Sequence, residues 1–209
     1  MNLRQFTIFS ILTFLFVFGC AKRVTVEVPP QVDLHSYDAV GIVEFTSDAK
    51  GELPSLATQR FIETLQRSQP GVRVLELGNE EELKDVLGIN KLDYSAMNAI
   101  KEQFGVEAVI LGKLDVTDVR PNINLQDLMS ALSASAEVDA SLTARLLEAP
   151  RGVTVWTMSS RRTEKIAHVG MSGGAVVFDA QDPERAYGVL VDALVHDITR
   201  DFRVTYATR

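Results

Sequence analysis

The chain has 209 residues, 46% of them hydrophobic, with a formal net charge of −7. That length is enough for one domain with a core of its own. The acidic balance speaks against nucleic acid as a partner, since affinity for nucleic acid comes from neutralising phosphates. A single cysteine excludes an intrachain disulfide, so the fold must hold by packing.

In chain order, Met1 to Gln5 carry one positive charge, at Arg4, and Phe6 to Phe18 form a nearly unbroken apolar run. The run is shorter than the roughly 20 residues that a bilayer requires of a helix. A basic start, a short apolar stretch and small residues at its end are the parts of a secretory leader, which sets residues 1–19 aside from the fold. Loss of Arg4 with the leader makes the mature chain one charge more negative. The stretch Val17-Phe18-Gly19-Cys20 resembles the lipobox of bacterial lipoproteins, with Phe18 bulkier than that pattern usually carries. The resemblance implies that Cys20 takes a diacylglycerol and that its new amino group is then acylated. Two or more acyl chains together anchor stably where one does not. Ala21 in place of Asp implies sorting to the outer membrane. An ordinary cleaved leader with a stray cysteine, or an uncleaved anchor, are the other readings.

Residues 20–36 read as the lipidated cysteine and a tether, with Pro29-Pro30 resisting regular structure and Val24, Val26 and Val28 alternating as in a short edge strand. Residues 37–209 read as the folded body. Ala39 to Phe45 is the continuous apolar run of a strand covered on both faces. Leu56, Ala57, Phe61, Ile62 and Leu65 repeat at helical spacing behind Ser55 as a cap, and Val72 to Leu77 is the next strand. Short joints between strand, helix and strand favour parallel pairing. Asn79 with Glu82 is a capping signature for a helix ending at Gly88, and a further helix with Met97, Ile100 and Phe104 on one face stops at Gly105.

Val106 to Val116 is a long strand. Glu137 to Leu147 then alternates strictly: Val138, Ala140, Leu142, Ala144 and Leu146 face one way, Asp139, Ser141, Thr143 and Arg145 the other. Pro150-Arg151-Gly152 turns the chain, and Val153 to Ser160 returns as the hairpin partner. Asp182-Pro183 opens a last helix whose stripe runs from Tyr187 through Leu190, Val191, Leu194, Val195 and Ile198 to Phe202. The expected fold is therefore α/β, a single domain in which helices pack on one mixed β-sheet, in the order β-α-β-α-α-β-β-β-α.

Four stretches, Val40 to Ser47, Phe104 to Leu114, Thr143 to Ser160 and Leu190 to Phe202, taken in this order and with the lipobox, resemble the CsgG/LpoB-type family of outer-membrane lipoproteins. That family includes a curli-secretion channel subunit and an activator of a penicillin-binding protein. The resemblance implies a body similar to the N-terminal domain of TolB, a location in the cell envelope and a protein partner.

Three features bear on chemistry. Gly170-Met171-Ser172-Gly173-Gly174 matches G-x-S-x-G, which marks a hydrolase nucleophile only between a strand and a helix. The strand-like Ala175 to Phe178 that follows makes a glycine-rich turn the preferred reading. His35, His168 and His196 show no metal-ligand spacing, and neither metal nor cofactor is expected. Leu125, Leu128, Met129 and Leu132 repeat as the stripe of a short amphipathic helix that either packs on its own sheet or meets a partner.

The expected function is thus that of a non-enzymatic lipoprotein, held at the outer membrane by lipid on Cys20. Its body meets an envelope protein or further copies of itself through the Leu125 to Leu132 stripe and Gly170, Gly173 and Gly174. A ring-forming secretion channel and a serine hydrolase using Ser172 are the alternatives. The region 116–138 has a helical rather than an alternating period, and glycines and charges interrupt 161–178, so neither reads as a membrane hairpin.

Overall fold

A computed structural model describes residues 25–122, 135–149, 151–167, 170–172, 175–178 and 183–208. They fall into a body, Pro30–Arg203, and a small terminal unit formed by the residues on either side of it.

The terminal unit begins with strand β1 (Thr25–Val28). The body opens on a 3₁₀ turn at Leu34–Ser36, whose Leu34 is fully buried. Part of the stretch read as a tether is thus packed in the body. Strand β2 (Val40–Ile42) is followed by the short β3 (Thr46–Ser47) and β4 (Lys50–Gly51). Helix α1 (Leu53–Ser68) starts two residues before the expected Ser55 cap, because Pro54 fits its first turn. Strand β5 (Val74–Glu76) leads to helices α2 (Glu80–Leu87) and α3 (Tyr94–Phe104). The Asn79 carboxamide accepts from the Glu82 N–H at 2.9 Å, as the capping signature requires. Gly88 and Gly105 end these two helices at φ 65° and 69°, in the left-handed region that glycine tolerates.

Strands β6 (Ala108–Asn122), β7 (Ser135–Glu148) and β8 (Val153–Ala167) form a long antiparallel meander. The described parts of 116–138, read as helical in period, are instead strand, held by cross-strand pairing that the local pattern does not report. The short β9 (Gly170–Ser172) and β10 (Ala175–Phe178) precede helix α4 (Pro183–Ile198). The expected last helix ends at Ile198, and Phe202 reaches the core from a separate 3₁₀ turn, Arg200–Phe202. Strand β11 (Thr205–Thr208) completes the terminal unit by pairing antiparallel with β1.

The main sheet has the order β5-β2-β6-β7-β8, with β3 beside β6. β2 runs parallel to both β5 and β6, and the meander is antiparallel, so the sheet is mixed as expected. Set beside the short additional strands, the order of main elements is the expected β-α-β-α-α-β-β-β-α.

On one face, α1 and α4 bury Phe61, Leu65, Tyr187, Leu190, Val191 and Leu194 against Ile110, Val138, Ala140, Leu142 and Leu146 of the sheet. Burying each large apolar side chain contributes about 1.5–3 kcal/mol, which makes this layer the main source of stability. The rings of Phe45, Phe61, Phe202 and Trp156 follow one another edge to face, with centroids 5.4, 6.1 and 4.7 Å apart. On the other face, Leu83 of α2 and Ala96, Met97 and Ile100 of α3 cover Val43, Leu77, Val106 and Val109. That second cover serves β5, β2 and the start of β6, while the polar residues of β7 and β8 on this side stay partly or fully exposed.

Gln69, 2% exposed, holds three segments of the body together. Its carbonyl oxygen accepts from the Leu34 N–H at 2.8 Å, and its NH₂ donates to the carbonyls of Val32 at 2.6 Å and Phe202 at 3.1 Å.

Candidate functional site

The alternation in β7 sends Val138, Ala140, Leu142, Ala144 and Leu146 into the core. It therefore sends Asp139, Ser141, Thr143 and Arg145 to the opposite face. The register places Thr143 beside Ser159 of β8 and Lys113 of β6, and Ser141 beside Arg161 and Asp115. Where the second helical layer ends, these strands continue as an open polar surface.

Contacts between side chains preorganise this surface. The hydroxyls of Thr143 and Ser159 lie 2.9 Å apart, and Thr163 donates to the Asp139 carboxylate. Arg161 donates to the Thr117 hydroxyl at 3.2 Å, and Lys113 lies 2.6 Å from Asp115 and 3.4 Å from Asp48. Those two carboxylates raise the Lys113 pKa, Asp115 most.

At the boundary with the helical layer lies a cleft of about 500 Å³. Val43, Leu92 and Leu111 give it an apolar lining, and Lys91, Lys113 and Arg145 share that lining with Glu44, Glu80 and Asp115. Mixed charge around an apolar floor suits a protein side chain or a peptide segment better than a reaction that needs a focused charge. Gly112 lines the cleft, and on its other side the Phe45 ring packs close against the strand. A Cβ at Gly112 would stand 2.3 Å from that ring.

A second groove, about 410 Å³ between α1 and α4, holds Arg60, Glu63, Asp192, His196 and Arg203. Its cations serve the body itself: Arg60 pairs with Glu63 at 2.8 Å, and Arg203 donates to the His196 carbonyl at 2.6 Å at the end of α4. Nearby, Asp197 of α4 accepts from the Ser160 hydroxyl at 2.6 Å and from Arg162 Nε and Nη2 at 2.8 Å each. The Ser160 hydroxyl, followed by the Arg162 guanidinium, holds the Asp197 carboxyl below the usual carboxylate range against the opposing effect of burial.

Of the candidates read from sequence, Cys20, Leu125, Leu128, Met129, Leu132, Gly173 and Gly174 lie outside the described residues. Gly170 and Ser172 belong to β9, which pairs antiparallel with β10, while β10 runs parallel to β4. Ser172 is thus followed by a strand, as the glycine-turn reading expects, and not by the helix a nucleophile elbow needs. Among the described residues no cluster of three or more His, Cys, Asp or Glu side chains is placed to hold a metal ion, and no helix is long and apolar enough to cross a membrane. The sequence marked the polar side of β7 through its alternation. The cleft went unmarked, because Val43, Lys91 and Leu111 come together only through the fold.

The fold and surface define a class: a mixed α/β domain whose antiparallel extension is covered on one face and open on the other. The sequence matches no protein-family model and no curated protein. Solved structures similar to this chain include a PelC dodecamer from Paraburkholderia phytofirmans, at 12% identity over 87% of this chain and 97% of that one, TM-score 0.48. Lipoprotein GNA1162 from Neisseria meningitidis is 17% identical over 77% and 97%, TM-score 0.42. The LpoB C-terminal domain from Salmonella enterica is 14% identical over 74% and 93%, TM-score 0.38.

Proposed function

We propose that this chain is a lipoprotein attached through Cys20 to the inner face of the outer membrane, and that its body serves the cell envelope by binding a protein partner. The observation that carries the reading is the open face of β6, β7 and β8, with its preset hydroxyls and charges and the amphipathic cleft at its edge. A sheet face that packs on its own core is apolar, whereas this one alternates Thr, Ser and charge over three strands. The lipobox-like stretch at Val17 to Cys20 supports the anchoring.

The test is a photo-crosslinking residue placed at Thr143 or Ser159 of the full chain in cells. A discrete adduct whose yield falls when Arg145→Glu is added supports the reading. Its mass separates a different protein from a second copy of the mature chain, which is lighter than the 23.0 kDa of all 209 residues. No adduct from this face, alongside adducts from the exposed side of α2, sinks the assignment of the surface. A ladder of self-adducts from this face points to the ring-forming alternative.

A further inference from the structure

We propose that the β1–β11 ribbon is a lipid-contacting element that lies along the membrane surface, a proposal that rests on the anchoring of Cys20 proposed above. The ribbon joins four residues of β1 to four of β11, and among the described residues it has no third strand. Two isolated strands in water are marginally stable and need a further surface to pack on. Register fixes two unlike faces. Val26 stands opposite Ala207 and Val28 opposite Thr205, which makes one side apolar, whereas Glu27 stands opposite Tyr206 on the other. Val26 and Val28 are 40% and 39% exposed, so the apolar side is only partly covered, and Tyr206 on the other side is 69% exposed.

The chain identifies the cover. Five residue steps separate Cys20 from Thr25. Fully extended, they reach at most roughly 18 Å. A lipid-modified Cys20 therefore keeps the ribbon within reach of the headgroups. Lys22 and Arg23 fall in this short link and favour an anionic surface. An amphipathic segment held there places its apolar side toward the acyl boundary and keeps a carboxylate such as Glu27 in water.

The experiment uses the full chain acylated at Cys20, in vesicles of phosphatidylethanolamine and phosphatidylglycerol with brominated acyl chains. Tryptophan is introduced by Val26→Trp on the apolar side or Tyr206→Trp on the other. The parent, whose Trp156 is buried in the body, supplies the background. Vesicle flotation is measured on the same samples. The expected result is complete flotation, a shift of the Val26→Trp emission to shorter wavelength with loss of intensity to the bromine, and water-like emission from Tyr206→Trp. Complete flotation without quenching at position 26 overturns the ribbon proposal and leaves the anchor standing. The same blue shift without vesicles, in the chain that also carries Cys20→Ser, overturns it in favour of a protein cover. Failure to float removes the anchor, and the ribbon proposal with it.

Discussion

At the scale of single residues, the body depends on a few polar side chains that do the work of backbone. Gln69 is the clearest, since it satisfies the Leu34 N–H and the carbonyls of Val32 and Phe202 while itself 2% exposed. Gln69→Leu keeps the volume and strands these groups. Each buried polar group left without a partner costs about 1–3 kcal/mol. Some relaxation is expected, so the predicted loss in urea unfolding is about 3 kcal/mol. Gln59→Leu, on the exposed side of α1, the helix that Gln69 follows, is the control, with a change inside about 0.5 kcal/mol. Equal effects from the two substitutions would show that the bracket adds nothing beyond helix surface. Thr58 acts similarly, its hydroxyl accepting from the Phe45 N–H at 2.8 Å and donating to the Pro54 carbonyl at 2.9 Å, which seats the Phe45 ring under Gly112. None of these roles is visible in the sequence, because a buried glutamine and a surface one look alike until the chain closes.

At the scale of elements, α4 is fastened to β8 twice. Trp156 Nε1 donates to Asp201 at 3.1 Å just beyond the helix, and Asp197 takes Ser160 and the paired donors of Arg162. The Asp197 carboxyl has its pKa lowered in the folded chain, so its contribution is complete above the unfolded carboxylate value of about 3.9 and is lost as pH falls through the lower folded value. Arg162 is 45% exposed, and solvent screening keeps the pair to on the order of 1 kcal/mol. Asp197→Asn is therefore expected to be less stable than the parent by that amount at neutral pH. The gap should shrink in urea titrations as pH is lowered below the unfolded carboxylate value of about 3.9; a gap of constant size down to full protonation would assign it to packing. Elements with a long period were legible beforehand. The alternation of β7, the stripe of α4 and the Asn79 cap each repeat or concentrate a local preference, and the structure follows them. The pairs β1–β11 and β4–β10 join short segments far apart in sequence, which no local pattern reports. The start of α1 was misplaced because Ser55 caps well in general, whereas Pro54 inside the first turn moves the boundary to Leu53. Likewise the open face follows from where α2 and α3 end, a fact of packing that Thr143 and Arg145 do not carry by themselves.

For the whole molecule, the proposed anchor and the open face are parts of one design. A binding surface of hydroxyls and exposed ion pairs is weak by itself, since such pairs contribute roughly 0–1 kcal/mol each. Confinement changes that: a short tether raises the effective concentration of a partner held at the same membrane to on the order of millimolar, with no added contact. Exchanging Cys20 for Ser removes the acyl acceptor and leaves untouched the body that begins at Pro30. The expected outcome in fractionated cells is that the Cys20→Ser chain leaves the membrane for the soluble periplasmic fraction. Its urea midpoint should match the parent's, because among the described residues the core side chains lie in that body. The crosslink from Thr143 should fall sharply in cells and return when the purified partner is supplied at high concentration. A Cys20→Ser chain that stays in the membrane fraction with its crosslink intact would place the anchor elsewhere. A released chain that keeps its full crosslink in cells would show instead that the open face binds tightly enough to need no confinement.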